Sequence, residues 1–142
     1  MIVYIRQDVD GIEIMEEYNQ SFFEKISAKT YLERLCLHQG CSMQGRKEAI
    51  KAVYHIHQKI PILISERTKD FFFPTSAIRV IPCHWINHRA IYKIQGNQQL
   101  TIIYFHDQTK LVLDVDIRTI KREIKICTNY LTYLESQHKN KI

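Results

Sequence analysis

Seven cations carry most of the chemistry that this chain could do. Arg46, Lys47 and Lys51 follow the segment Gly40-Cys41-Ser42-Met43-Gln44-Gly45, and Lys59, Arg67, Lys69 and Arg79 come later. Guanidinium and ammonium groups bind phosphate through charge-assisted hydrogen bonds. Glycine lets a backbone take a positive φ or approach a ligand closely. The spacing therefore predicts a loop bounded by Gly40 and Gly45 that opens onto Arg46-Lys47 at a helix start. Free backbone N–H groups at such a start also meet phosphate. Lys51 lies one turn on from Lys47. Lys59, Arg67, Lys69 and Arg79 need the fold to bring them to the same surface. Each of the seven also reads as an ordinary surface charge, and Arg46 could instead pair with Glu33 or Glu48.

Thiols and imidazoles offer a second chemistry. Cys83 adjoins His84, which allows a thiol nucleophile to be drawn as the alternative reading. Cys36, Cys41, Cys83 and Cys127 are scattered, and zinc sites usually show paired ligands at short spacing. The expectation is four reduced, metal-free cysteines, no cofactor and no enzyme. Phe71-Phe72-Phe73 is read as core, with a base-stacking platform as the alternative.

Composition bounds these readings. The 142 residues suit one domain, 1–142, with 45% hydrophobic and 25% charged residues. No apolar run approaches the roughly 20 residues of a membrane span. The N-terminus lacks the pattern of a signal peptide. A cytoplasmic protein is expected, and no Gly-rich nucleotide signature is present. The net charge of +5 is uneven. Asp8, Asp10, Glu13, Glu16, Glu17 and Glu24 against Arg6, Lys25 and Lys29 give the first 30 residues −3, leaving +8 for the other 112. Such asymmetry points to an anionic partner, most often nucleic acid.

The elements that must position the cations follow from periodicity. Residues 1–5, 12–16 and 22–26 alternate as three short strands of an antiparallel meander, turned at Asp10-Gly11 and Tyr18-Asn19-Gln20. Ser27 or Thr30 caps a helix that runs to His38 and stops at Gly40. A second helix spans 46–57, with Ala49, Ile50, Val53, Tyr54 and His57 on its apolar stripe. Ile62-Leu63-Ile64 and Phe71–Phe73 read as buried strands, and 76–82 connects. Residues 84–94 read as one strand, followed by a hairpin of 100–105 and 110–115. Asp116 caps a last helix whose stripe is Ile117, Ile120, Ile124, Cys127, Leu131 and Leu134, with fraying over 139–142. The class is α+β: an antiparallel sheet with two central helices and a C-terminal helix packed on it.

Read in order, Glu33-Arg34-x-Cys36, Gly40-x-Ser42-x-x-Gly45-Arg46-Lys47, Lys59-x-Pro61-Ile62, Phe72-Phe73-Pro74-Thr75 and Cys83-x-Trp85-Ile86 resemble the competence transcription factor (ComK) family of Gram-positive bacteria. The resemblance is close over 31–91 and looser beyond. It implies a transcription activator that binds double-stranded promoter DNA at A/T-rich boxes, through the minor groove and as a homo-oligomer, to control genes for DNA uptake. It also implies regulated proteolysis through an adaptor. Leu35 and Cys41 depart from the family's usual serine and small residue. The chain ends at Ile142, where longer members continue with a tail linked to activation and adaptor recognition. The expectation is DNA binding without full activation, or escape from that degradation route. The hairpin at 100–115 and the stripe of the last helix are the expected contacts between subunits. Arg46 is expected to matter most for binding, because a weakly hydrated guanidinium enters a narrow groove readily.

Overall fold

The computed structural model describes residues 1–139, so the fraying expected beyond Lys139 lies outside the described residues. Nine strands and three α-helices follow in the order β1 (Ile2–Gln7), β2 (Ile12–Glu16), β3 (Gln20–Glu24), α1 (Ala28–His38), α2 (Met43–Tyr54), β4 (Ile62–Leu63), β5 (Phe71–Pro74), β6 (Cys83–Asn87), β7 (Ile91–Gly96), β8 (Thr101–Phe105), β9 (Lys110–Leu113) and α3 (Ile117–Lys139). The architecture is α+β with antiparallel pairing throughout, in two sheets. A six-stranded sheet runs β3-β2-β1-β6-β5-β4, and a three-stranded sheet runs β7-β8-β9.

The predicted meander forms in register, with Ile14 opposite both Ile5 and Phe22. Gly11 is required at its first turn: φ is +147°, and a Cβ there would collide with the Glu24 carbonyl oxygen. Residues 84–94 form two strands in different sheets, not one. A 3-10 turn at His88–Ala90 separates β6 from β7. Asn87 explains the break. Its buried side chain accepts from the Phe71 N–H at 3.2 Å and donates at 2.8 Å to both the Ile2 carbonyl and Asp70. That polar node ties β6 to its neighbours and ends the strand where it stands.

Both faces of the large sheet are covered. On one side α1 packs Ala28, Leu32 and Cys36 against Ile5, Ile12, Ile14, Phe72 and Trp85. On the other, α3 and the small sheet bury Ile120, Cys127, Ile103, Phe105 and Leu113 against Val3, Leu63, Phe71, Phe73 and Ile86. The phenylalanine triplet is wholly inside, at 0%, 1% and 0% exposure, so it cannot stack on bases. The α3 stripe also differs in detail from the expected one. Ile120 and Cys127 are buried, but so are Glu123 and Tyr130, while Ile124, Leu131 and Leu134 are half-buried against the same core. The stripe thus serves the chain's own core.

Helix α2 belongs to both cores, Met43 on one side of the sheet and Ile50 on the other. It begins three residues earlier than its periodicity suggested. Ser42 Oγ accepts the Gly45 N–H at 2.9 Å and caps the helix. It ends at Tyr54, because His55 takes a left-handed conformation with φ 54° and donates its N–H to the Lys51 carbonyl. His57 is therefore outside the helix. The loop expected between Gly40 and Gly45 is correspondingly short. Gly40 has φ 75°, but Gly45 lies in the first helical turn, where a Cβ would press on Ser42 Oγ at 2.9 Å. Gly45 is fitted to the cap, not to a ligand.

Candidate functional site

The fold divides the seven cations into two groups. Lys47, Lys59 and Arg79 line one cleft of about 360 Å³, with His57, Gln58, Ile60, Ala77 and Ile78. Lys47 comes from α2, Lys59 from the segment before β4, and Arg79 from the connection between β5 and β6. No carboxylate lines this cleft. Among the described residues, none of Lys47, Lys51, Lys59 and Arg79 has a carboxylate within ion-pairing distance.

Electrostatics mark the same place. Burial pushes the Lys47 ammonium below its usual pKa, and the like charges of Lys29 and Lys51 push it further, against a partial pull from Glu33. Lys51 stands one turn along the same helix, as the spacing predicted, and Lys29 of α1 joins the group. Like charges held close raise the free energy of the empty site, and an anion bound there relieves it. Lys59 has φ 51°, a left-handed backbone that is uncommon for lysine. Glu123 lies within electrostatic reach of it. That carboxyl is 3% exposed with one oxygen unpartnered, and burial raises its pKa to about 7 against the pull of Lys59 and Arg122.

The second group is ion-paired. Arg46 turns away from the cleft, with Nη1 3.8 Å from Glu66 and a buried Nε that has no partner. Its pairing carboxylate is Glu66, across the fold, and not Glu33 or Glu48. Lys69 Nζ is 3.9 Å from Glu135 of α3, and Glu66 also meets His138 at 3.1 Å. Arg67 and Lys69 border a separate cleft of about 330 Å³ with Glu66, Leu134, Glu135 and His138. The sequence thus placed Lys47, Lys51, Lys59 and Arg79 near one another and left Arg46, Arg67 and Lys69 elsewhere.

Residues 76–82 were read only as a connection. They carry Ile78, Val80 and Ile81, all exposed, on either side of Arg79. The signal was present in the run Ala-Ile-Arg-Val-Ile-Pro, too apolar for an ordinary surface loop.

The thiol pair does not assemble. Successive residues of a strand face opposite ways. Cys83 is buried in the α1-side core, while His84 lies against the Tyr4 ring at 5.8 Å between centroids. Burial and then Arg6 lower the His84 pKa to about 4. All four cysteines are free thiols. Among the described residues no cluster of three or more His, Cys, Asp or Glu could hold a metal, and no helix is long and apolar enough to cross a membrane.

No curated protein and no solved structure gives a significant match to the chain. A family model described as ComK protein matches residues 2–139, nearly the whole length. The chain belongs to the ComK family, and with it to the DNA-binding regulators of competence transcription.

Proposed function

We propose that residues 1–142 act as one regulatory domain that binds A/T-rich promoter DNA in the cytoplasm, as a homo-oligomer, and controls genes for DNA uptake. Lys47, Lys59 and Arg79 hold the phosphate backbone in their cleft, with Lys51 beside them. Narrow A-tract minor grooves concentrate negative potential, which favours an inserted arginine, and Arg79 on its projecting loop is the group placed to enter. Arg46, Arg67 and Lys69 support the neighbouring structure and add a diffuse positive field. Family membership supports a proteolytic adaptor as a further partner. The observation that carries the reading is the convergence of three cations from three separate segments on one cleft without a carboxylate.

A mobility-shift titration tests it. An A/T-rich duplex is expected to bind more tightly than a G/C-rich duplex of equal length, and a minor-groove-filling drug is expected to compete. Equal affinity for both duplexes, together with indifference to the drug, would overturn A/T recognition through the minor groove. Light scattering of the complex on a duplex with two A/T boxes is expected to show more than one subunit; a single subunit per duplex would remove the oligomer.

A further inference from the structure

The loop that carries Arg79 has a feature that cation binding does not use. Ile78, Val80 and Ile81 are 52%, 48% and 41% exposed, although each is a large aliphatic side chain. The loop is firmly rooted at both ends. Thr75 and Cys83 are buried, the Thr75 N–H donates to the His84 carbonyl at 2.9 Å, and the Val80 N–H donates to the Ala77 carbonyl at 2.9 Å. A short segment anchored in this way presents its tip without ordering a long chain. Ala77, Ile78 and Arg79 also form one wall of the cationic cleft.

Charge complementarity identifies what covers the aliphatic tip. Its immediate neighbours are Lys47, Lys59 and Arg79, with no carboxylate among the cleft's lining residues. A ligand that meets both surfaces must offer a row of anions next to an apolar face. A nucleic acid duplex does so when a base step opens: phosphates lie outside, and the faces of the unstacked bases lie within. Proteins that bend DNA insert isoleucine, leucine or proline at such steps with cationic side chains alongside.

We propose that the loop 77–82 is an intercalating wedge. Ile78 and Ile81 enter a base step from the minor groove, Arg79 lies in the groove beside them, and Lys47 and Lys59 hold the adjoining phosphates. The preferred step is pyrimidine–purine, above all TA, because it unstacks most readily. This inference rests on the DNA-binding reading above.

The test uses the full chain and an A/T-rich duplex with a fluorescent adenine analogue at one central TA step. The emission of the analogue is quenched by stacking. Saturating wild-type protein is expected to raise it several-fold, and a duplex lacking the TA step is expected to respond less. Ile78→Ser with Ile81→Ser alters only exposed side chains, so the variant is expected to keep its circular dichroism and melting temperature. It is expected to keep the salt dependence of binding and to lose the fluorescence rise. Lys47→Ala with Lys59→Ala is expected to lose affinity and salt dependence, yet to restore the rise once enough protein is added to saturate. Tight, salt-dependent binding by wild type without any rise overturns the wedge and leaves DNA binding standing. A serine variant that unstacks DNA like wild type but changes the mass in light scattering also overturns it, because the loop then joins copies of the chain. Absence of duplex binding by wild type removes both readings.

Discussion

Two clefts of similar size each have basic residues in their walls, and they behave differently. The first is lined by Lys47, Lys59 and Arg79, the second by Arg67 and Lys69 beside Glu66 and Glu135, with Arg46 reaching Glu66 from the side. In the second, each formal charge finds an answer within the chain, and the pairs at 3.8 and 3.9 Å are weak, exposed contacts. In the first, the charges answer one another only by repulsion, visible in the lowered pKa of Lys47. Counting cations along a sequence cannot separate the two. What separates them is where the carboxylates fall in three dimensions. A repulsive cluster is kept at a cost in stability, which an anion from outside can offset.

The strongest way to break this contrast is to empty the first cleft. Lys47→Ala, Lys59→Ala and Arg79→Ala together are expected to weaken binding to A/T-rich duplex at least a hundredfold and to lower the log–log salt slope by about three units, roughly 0.9 for each lost phosphate contact. The matching triple variant of Arg46, Arg67 and Lys69 is expected to lower the slope by less than about one unit. Equal loss in both variants, measured by titration at several salt concentrations, ends the distinction.

Glu123 sharpens it from beneath. Its carboxyl ordinarily titrates at 4.5 and is raised to about 7 in the folded protein. Between those values the folded state holds a proton that the unfolded chain has released. Stability therefore falls as pH rises through this window, by about 3 kcal/mol as an upper bound. Glu123→Gln is expected to flatten denaturant midpoints between pH 5 and pH 8 and to stabilise the protein at the upper end. Lys59→Ala removes an attraction that lowers this pKa, so it is expected to extend the decline to higher pH. A wild type equally stable across the window would show that Lys59 and Arg122 fully compensate the buried charge.

Arg46 gives a smaller effect with the opposite signature. Arg46→Ala is expected to cost about 1 kcal/mol of stability, through lost packing of its stem and the lost Glu66 contact, while the folded protein binds DNA normally. This reverses the ranking that the sequence suggested. A large loss of affinity at unchanged melting temperature would restore Arg46 to the interface. The smallest effect belongs to Lys69→Ala, expected within about 0.5 kcal/mol of wild type in stability, as for other exposed pairs.

What was legible in the sequence is what local periodicity determines. The strands β1 to β3, the hairpin of β8 and β9, and the long α3 all declare themselves by alternation or by three-and-four spacing. The start of α2 did not, because Gly40 and Gly45 suggested a loop while Ser42 supplied a cap. The split between β6 and β7 did not either. It depends on Asn87 meeting Ile2 and Asp70, partners 85 and 17 residues away. The site follows the same rule. Lys47 and Lys51 share a helix turn and could be placed together on sight. Their union with Lys59 and Arg79, and the diversion of Arg46 to Glu66, are tertiary facts. Glu123 was hidden because a glutamate on a helix is read as solvated, and here it faces the core.

Helix α2 has a further consequence for recognition. Because Met43 and Ile50 lock it into the cores on opposite sides of the large sheet, its amides can open only when both cores do. Hydrogen exchange there should approach the slow limit set by global unfolding. The lysines it carries are thus mounted on one of the last parts of the molecule to lose its shape. A partner that binds them has little backbone entropy left to remove, and the free protein already holds the arrangement that the bound one needs.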